Sequence, residues 1–338
     1  MTVTTAMTGS RATGAPVAIS ASGLSKRYGD KVVLDGIDLT IPEGTIFALL
    51  GPNGAGKTTT VQILSTLISA DAGEVRVAGH DLAVEADAIR ASIGVTGQFS
   101  AVDNLLTARE NLMLMADLNH LDRREGRRRS AGLLDRFELT EAATKPVSTF
   151  SGGMRRKLDL AMTLVGDPRV IFLDEPTTGL DPRSRRTMWE IIRSLVVDDG
   201  VTIFLTTQYL EEADQLADRI AVLDQGRLVA EGTAEELKRR IPGGHIRLRF
   251  ADEGALHAAD ALFDPVGLVR DDEALTLRIP SDGSVPALRA VLDVLDGASI
   301  VAEALTVHTP DLDDVFLTLT GQTRSSDAPA DPQKGNVR

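Results

Sequence analysis

The sequence predicts an α/β fold with a mostly parallel sheet core and a helical subdomain, followed by a small α+β domain. Three observations lead to this prediction. A glycine-rich phosphate-binding motif lies between an apolar run and a helical pattern. Short apolar runs alternate with helical patterns over residues 18–241, as they do in α/β domains. Residues 245–321 instead combine strands of alternating apolarity with helices that have one apolar face.

Length and composition are those of a globular protein of about two domains. The chain has 338 residues, of which 43% are hydrophobic and 25% charged, so it can form substantial cores. Its net charge of −13 argues against nucleic acid as the main partner and against electrostatic adhesion to anionic lipid. The absence of cysteine excludes disulfides and a cysteine-based zinc site, and it fits the cytoplasm. No apolar run approaches the ~20 residues that span a bilayer, and the N-terminus lacks the apolar core of a signal peptide.

Residues 51–58 read Gly-Pro-Asn-Gly-Ala-Gly-Lys-Thr, which fits the P-loop pattern at every fixed position. The apolar run 45–50 before it predicts a buried strand, and Val61, Leu64 and Leu67 after it predict a helix. Lys57 would reach the β- and γ-phosphates, and the hydroxyl of Thr58 would hold Mg²⁺. The motif therefore predicts a P-loop NTPase rather than an ordinary strand–helix turn. The predicted ATP-binding residues of the loop are Gly51, Asn53, Gly54, Ala55, Gly56, Lys57, Thr58 and Thr59.

Two carboxylates follow the apolar run 170–173. The run predicts a central parallel strand, and ligands bind at the carboxyl edge of such sheets. Asp174 suits a magnesium site, and Glu175 lies where a carboxylate could polarise the attacking water. Acidic pairs after a strand are also common as turn residues, but the P-loop favours the catalytic interpretation.

Residues 150–158 read Phe-Ser-Gly-Gly-Met-Arg-Arg-Lys-Leu and predict a glycine-rich helix start. Ser151 is a good N-cap, but the free N–H groups at this helix start could instead face an anion. The segment alone does not decide between these two interpretations.

Taken in order, these three segments resemble the ATP-binding cassette family, over about residues 17–241. In that family the segment Ser151, Gly152, Gly153 is the signature motif, usually Leu-Ser-Gly-Gly-Gln; here Phe150 and Met154 replace its ends. Residues 206–219 and the signature segment look like the daunorubicin/doxorubicin-resistance branch of bacterial exporters. Residues 312–317, Leu-Asp-Asp-Val-Phe-Leu, look like the C-terminal domain of such ATPases, in a shorter and less specific match.

The resemblance implies roles for three further residues. Tyr28 matches the aromatic residue that stacks on adenine, although a strand aromatic could also pack in the core. Gln98 matches the glutamine that touches Mg²⁺ and senses the membrane partner. The alternative interpretation of Gln98 is a solvated loop residue. Asp181 matches the loop that crosses to the other subunit, its alternative being a turn before Pro182.

Gln208 departs from the family pattern, which usually has histidine at this place to contact the γ-phosphate. Glutamine can still donate an amide hydrogen bond, but it is uncharged and cannot titrate. This departure suggests slower turnover and leaves the proposed base, Glu175, in place.

The resemblance also implies how the site is completed. The P-loop of one subunit and the signature of another enclose each ATP, so the chain must pair, as a homodimer or with a related subunit. A polytopic membrane permease would supply the transport path, contacted by a helical subdomain at about residues 99–168. The chain would then act at the cytoplasmic face of the cell membrane.

Three functions remain open from the sequence. The favoured one is the ATPase subunit of an exporter of drug-like amphiphiles. A soluble cassette ATPase of translation or DNA maintenance is an alternative, but the chain lacks a second cassette and a long coiled-coil insert. The third is a nucleotide-dependent drug-binding or regulatory protein with little hydrolysis, which Gln208 favours.

The rest of the chain is assigned by pattern. Residues 1–17 and 322–338 are predicted to be disordered tails, and Pro242-Gly243-Gly244 signals a break. Residues 245–321 are predicted to form an accessory or dimerisation domain. Its predicted strands carry Ile246, Leu248 and Phe250, and Leu275, Leu277 and Ile279; its predicted helical faces carry Leu288, Val291, Leu292 and Leu295, and Leu312, Val315, Phe316 and Leu319.

Overall fold

The computed structural model describes residues 16–97, 101–239 and 244–320. The chain divides into two compact units, Met1–Thr233 and Ala234–Arg338. The predicted tail 322–338, the break at 242–243 and most of the predicted tail 1–17 lie outside the described residues. Val17, which the composition assigned to that tail, begins a strand because it pairs with Pro42 of the neighbouring strand.

The first unit contains ten strands and seven α-helices within its described residues. The strands are β1 (Val17–Tyr28), β2 (Lys31–Pro42), β3 (Ile46–Leu50), β4 (Ala72–Val77), β5 (His80–Asp81), β6 (Ile93–Thr96), β7 (Val170–Asp174), β8 (Thr202–Thr207), β9 (Arg219–Asp224) and β10 (Arg227–Gly232). The helices are α1 (Lys57–Leu64), α2 (Ala86–Ser92), α3 (Ala108–Leu118), α4 (Arg123–Arg136), α5 (Gly152–Thr163), α6 (Pro182–Asp199) and α7 (Leu210–Leu216).

A six-stranded sheet in the order β10-β9-β3-β8-β7-β6 forms the centre of this unit. Its strands are parallel except β10, which pairs antiparallel with β9. β3, β7 and β8 are buried along their whole length, as expected for strands covered on both faces. Phe204 lies between Phe47 and Phe172, with ring centroids 5.6 and 5.7 Å away. The predicted α/β fold with a mostly parallel sheet is confirmed.

An antiparallel sheet in the order β2-β1-β4-β5 packs on this core. Between β6 and β7 the described residues contain the helices α3, α4 and α5 and three short 3₁₀ turns, at Thr140–Ala142, Val147–Thr149 and Leu164–Gly166. Thr107 and Glu110 form a capping box that fixes the start of α3. These helices lie in the range predicted for the helical subdomain.

The helix after the P-loop is shorter than predicted. α1 ends at Leu64, and Leu67 is 67% exposed instead of lying on its buried face. Thr66 takes a left-handed conformation with φ of 64°, and Leu67 N donates to Gln62 O at 2.8 Å. This is the Schellman arrangement, which ends a helix by closing its last carbonyl groups.

The second unit is α8 (Ala234–Arg239), β11 (His245–Arg249), α9 (Glu253–Asp260), β12 (Val269–Asp271), β13 (Thr276–Pro280), α10 (Val285–Gly297), β14 (Ala304–His308) and α11 (Leu312–Thr320). From β11 to β14 the order βαββαβ and the antiparallel sheet β12-β13-β11-β14 give the ferredoxin-like topology. α8 groups with this unit, although the sequence placed it in the first, because it packs against α11 and buries Leu237 completely.

The core of the second unit follows the predicted apolar positions with few differences. Ile246, Leu248, Leu277 and the α10 residues Val291 and Leu295 form one buried cluster. Leu292, which the helical pattern assigned to the buried face, is 41% exposed. Because the helix has 3.6 residues per turn, Leu292 lies beside the buried face of Val291 and Leu295 and not within it.

Candidate functional site

The P-loop joins β3 to α1 and depends on its glycines at two tight places. A Cβ at position 51 would lie 2.4 Å from the carbonyl oxygen of Leu223, and one at position 56 would lie 2.6 Å from Leu34 Cδ2. Gly56 also has φ of 114°, which side chains rarely adopt. The loop therefore needs glycine both for its conformation and for its close approach to the neighbouring strands.

Lys57 is the first residue of α1, and its side chain is only 5% exposed. Its Nζ donates to the carbonyl oxygens of Gly51 at 2.8 Å and Pro52 at 3.3 Å. Burial lowers the pKa of Lys57, and the negative charges of Glu175 and Asp174 counteract this in part. A buried cation is thus held at the place where the motif positions phosphate oxygens.

Asp174 ends β7 beside the first turn of α1. Its Oδ2 accepts from Thr58 Oγ1 at 3.0 Å, and its Oδ1 accepts from Thr206 Oγ1 on the neighbouring strand β8. The carboxylate is 4% exposed. Two side-chain oxygen atoms that could bind Mg²⁺ therefore meet at the rim of the P-loop. Mg²⁺ sites of this kind take one or two ligands from the protein and the others from water and phosphate. Within the described residues, no group of three or more His, Cys, Asp and Glu side chains forms a separate metal site.

Glu175 follows with a left-handed backbone, φ 51°. A non-glycine residue in this conformation costs on the order of 1–3 kcal/mol and persists only where its surroundings hold it. Glu175 N donates to Thr206 O at 3.0 Å, and the carboxylate accepts from Thr178 Oγ1 at 3.2 Å. The half-buried side chain thus lies on a turn that these hydrogen bonds hold.

Gln208 follows β8 and is exposed. The parallel register places Thr207 beside Leu50 and Thr206 beside Asp174. Because the strands run in the same direction, Gln208 emerges at the same sheet edge as the P-loop and Glu175. The predicted proximity of these three features therefore follows from the sheet register.

Tyr28 lies at the end of the β1–β2 hairpin and is 51% exposed, so it is not a core residue. Lys26 Nζ lies 5.5 Å from the centre of its ring. The hairpin reaches the P-loop, because Val33 O and Leu34 of β2 are the groups that a Cβ on Gly56 would meet. Tyr28 thus offers an exposed aromatic face on a strand pair that contacts the loop.

The signature segment begins α5. The hydroxyl of Ser151 accepts from Met154 N at 3.2 Å and is the N-cap of the helix. A Cβ on Gly153 would lie 2.8 Å from Ser184 Oγ, so the glycine permits close packing against the start of α6. In the single chain the signature is therefore a capped helix start, and no hydrogen bond of Ser151 within the described residues joins it to the P-loop.

Asp181 is the N-cap of α6. Its carboxylate accepts from the backbone N–H groups of Arg183 and Ser184, both at 3.0 Å, and from Ser184 Oγ at 2.6 Å. The Ser184 hydrogen bonds hold the pKa of Asp181 below its usual value. Gln98, the remaining residue predicted for the site, lies outside the described residues.

Two residues that the sequence patterns did not identify organise the site. Arg156, on α5, donates to the carbonyl oxygens of Gly97, Asp174, Glu175 and Pro176 and to the carboxylate of Asp159. Glu212, on α7, is completely buried and accepts from the Thr177 hydroxyl. Glu212 could have been recognised from the sequence as a charged residue on an otherwise apolar helix face, because it shares its buried face with Ala213 and Leu216.

No helix of the described residues is both long enough and apolar enough to cross a lipid bilayer.

Comparisons with known proteins agree with this geometry. The family profile described as ABC transporter matches residues 34–178. The daunorubicin resistance ATP-binding protein DrrA3 of Streptomyces coeruleorubidus is 51% identical over 310 residues, which are 92% of this chain and 98% of the relative. The daunorubicin/doxorubicin resistance ATP-binding protein DrrA of Streptomyces peucetius is 45% identical over 94% of this chain and 97% of the relative. The linearmycin resistance ATP-binding protein LnrL of Bacillus subtilis is 35% identical over 90% of this chain and 99% of the relative.

Solved structures match about two thirds of the chain. An ATP-binding subunit of an ABC transporter aligns with a TM-score of 0.59 and 29% identity, over 66% of this chain and 92% of that structure. A dimeric ATP-binding cassette in a post-hydrolysis state with ADP and Pi aligns with a TM-score of 0.58 and 27% identity, over 64% of this chain and 98% of that structure. Together with the near full-length relatives, these matches show that the chain belongs to the ABC transporter family, as an ATP-binding and hydrolysing protein.

Proposed function

We propose that this chain is the ATPase subunit that energises a membrane exporter of drug-like or amphiphilic compounds. The observation that carries the proposal is the convergence of Lys57, Thr58, Asp174 and Glu175 at one sheet edge, with Thr58 Oγ1 3.0 Å from Asp174. The relatives named for resistance to daunorubicin and linearmycin support export of such compounds.

The chemistry uses the residues at this edge together with Tyr28 of the β1–β2 hairpin and Gln98. The P-loop N–H groups and Lys57 bind the triphosphate, and Tyr28 stacks on adenine. Mg²⁺ would be held by Thr58 and Asp174, with Gln98 as a further ligand, and would neutralise phosphate charge when bound. Glu175 accepts a proton from the attacking water, and the amide of Gln208 donates to the γ-phosphate.

The site is completed by a second cassette, which is either another copy of this chain or a related subunit. Ser151, Gly152 and Gly153 of one cassette then face the ATP held by the P-loop of the other, and Asp181 lies on the loop that crosses between them. A head-to-tail pair with two-fold symmetry forms two equivalent sites from one interface. The C-terminal domain assists this assembly, and ATP closes the pair while hydrolysis opens it.

The partner is a polytopic membrane permease at the cytoplasmic face of the cell membrane, contacted by the helical subdomain. Copurification from membranes tests this assignment. A polytopic protein that arrives in stoichiometric amount, and that stimulates ATP hydrolysis by the wild-type chain but not by Lys57→Ala, is the expected result. Recovery of the chain without any membrane protein would contradict the transporter assignment.

A nucleotide-dependent drug-binding or regulatory protein with little hydrolysis is the second candidate. The observation that favours it is the exposed, uncharged Gln208 at the sheet edge where the family usually has histidine. Steady-state ATPase activity with and without the membrane partner separates the two. Turnover that stays negligible with the partner present, while nucleotide still binds, would favour the second.

A further inference from the structure

Glu212 is a buried carboxyl group to which the proposed chemistry assigns no step. Its Oε1 accepts from Thr177 Oγ1 at 2.8 Å and from Trp189 Nε1 at 3.1 Å. Its Oε2 makes no close hydrogen bond among the described residues, although the side chain is completely buried; the Thr207 hydroxyl is near enough to lower the pKa of the carboxyl, against the larger effect of burial. Burial of a polar atom without a partner costs stability, so an apolar side chain would suit a purely structural role better.

The Thr177 bond acts on the turn that carries Glu175. Thr178 N donates to Glu175 O at 3.3 Å, and Leu180 N donates to Thr177 O at 3.2 Å, so these residues form one compact turn. Thr177 is completely buried, whereas Thr178 is exposed and its hydroxyl donates to the Glu175 carboxylate. The hydrogen bond to Glu212 therefore holds the buried side of the turn. The exposed side of the turn, at Thr178, holds the carboxylate of the proposed base, Glu175.

Such an anchor is needed because Glu175 has a left-handed backbone with φ of 51°. A strained residue keeps its conformation only where surrounding contacts determine it. Arg156 binds the turn through the carbonyl groups of Asp174, Glu175 and Pro176. The bond between Thr177 and Glu212 holds the same turn by the Thr177 side chain instead of the backbone, and from α7 instead of α5.

Glu212 also belongs to the segment that carries Gln208. It lies in the first turn of α7, and its backbone N–H donates to Tyr209 O at 3.1 Å. Arg185, on the first turns of α6, packs over the Tyr209 ring at 5.0 Å. Glu212 therefore connects the segment after β7 with the segment after β8. The first carries Glu175, the proposed base, and the second carries Gln208, the proposed donor to the γ-phosphate.

We propose that Glu212 is a positioning residue for ATP hydrolysis, which fixes the Glu175 turn through Thr177 and ties it to the segment of Gln208. This inference rests on the proposed role of Glu175 as the base. The residue acts through its hydrogen-bond acceptor and not through contact with the nucleotide.

Thr177→Val tests the proposal, because valine has the shape of threonine but no hydroxyl. In the full-length purified chain we expect kcat for ATP hydrolysis to fall about tenfold or more, since small displacements of a reacting group have effects of this size or larger. The KM for ATP should stay near that of the wild type, and the melting temperature should fall only slightly, because Glu212 Oε1 keeps the hydrogen bond from Trp189 Nε1. Thr276→Val is the matched control, because Thr276 in the C-terminal unit is also buried, at 1% exposed, and its hydroxyl has no hydrogen-bond partner among the described residues.

Substitutions at Glu212 complete the test. Glu212→Met removes the acceptor and should lower kcat as Thr177→Val does, and the double variant should be no slower than the slower single variant. Glu212→Gln keeps an acceptor and should retain most of the turnover that Glu212→Met loses. Unchanged kcat in Thr177→Val, or equal losses in the methionine and glutamine variants, would overturn the proposal.

Glu175→Gln separates this inference from the proposed function. If Glu175→Gln is inactive while Thr177→Val is fully active, only the positioning role of Glu212 fails. If Glu175→Gln hydrolyses ATP normally, the assignment of the base itself fails.

Discussion

The guanidinium of Arg156 donates to the carbonyl oxygen of Glu175 at 3.2 Å, so the signature helix and the turn of the proposed base are joined within one chain. The same guanidinium donates to Gly97 O at 3.1 Å, directly before the segment of Gln98. Burial lowers the pKa of Arg156, and the Asp159 carboxylate counteracts this. A single side chain thus links the helical subdomain to two strand ends of the central sheet.

Arg156→Lys should slow ATP hydrolysis about tenfold or more with little change in ATP affinity. Lysine keeps the charge but loses the planar set of donors that reaches several carbonyl groups at once. Steady-state kinetics and nucleotide titration measure the two effects. Arg289→Lys, at an exposed position on α10, is the matched control and should behave as the wild type. Equal turnover in both variants would show that the charge of Arg156 is sufficient.

Glu175→Gln should bind ATP and hydrolyse it about 10²- to 10⁴-fold more slowly, the usual contribution of a positioned general base. The glutamine can still accept the Thr178 hydroxyl, so the turn should be preserved. The variant should accumulate as an ATP-bound dimer, which size-exclusion chromatography detects. Elution as a monomer in the presence of ATP and Mg²⁺ would argue against the sandwich of two cassettes.

Gln208→His should bind nucleotide and hydrolyse ATP at least as fast as the wild type. Histidine titrates near pH 6.5, and its cationic form would stabilise the charge of the γ-phosphate more strongly than an amide does. We expect a new pH dependence of kcat between about 6 and 8. Gln208→Ala should be slower than both, because it offers no donor. Identical rates and pH profiles in all three proteins would exclude a role for Gln208.

ATP affinity should fall as the pH rises towards the alkaline range. Burial holds the pKa of Lys57 in the free protein below its usual value of 10.5, and the phosphates of bound ATP would raise it. Between the free and bound pKa values, binding takes up a proton, and the affinity therefore decreases with increasing pH. Calorimetry in buffers of different ionisation enthalpy measures this uptake. Lys57→Ala should bind weakly and without proton uptake; persistent uptake in that variant would assign the effect to another group.

Glu212→Gln should raise the melting temperature at pH 8 and match the wild type near pH 4. Burial raises the pKa of the Glu212 carboxyl, which its hydrogen bonds and the charge of Arg185 counteract in part. The folded protein thus binds this proton more tightly than the unfolded chain, whose carboxyl titrates near 4.5. Its stabilising contribution is complete below that value and is lost as the pH rises through the folded pKa. Glutamine is neutral throughout, so the two melting curves should diverge only above the unfolded pKa. A constant difference at every pH would contradict the raised pKa.

The sequence by itself determined the local parts of the site. The P-loop and its strand, the β7 run that ends at Asp174, and the glycine-rich start of α5 are contiguous segments. Their glycines, apolar runs and caps act on neighbouring residues, and so they can be recognised without the rest of the chain. The same local reasoning failed at Leu67 and Leu292, because apolar spacing does not reveal where a helix is closed or where its buried face ends.

Only the tertiary structure decided which of these parts meet. Thr58 and Asp174 are 116 residues apart in the chain and bond through the parallel register of the sheet. Arg156 was missed because most of its partners are backbone carbonyls on other elements, which leave no pattern in the sequence. For Glu212 the sequence shows only a charged residue on an apolar helix face, and not the Thr177 hydroxyl that it binds. Whether a buried charge is anchored depends on which donors and acceptors the packed elements bring within about 3 Å, and packing alone sets that distance.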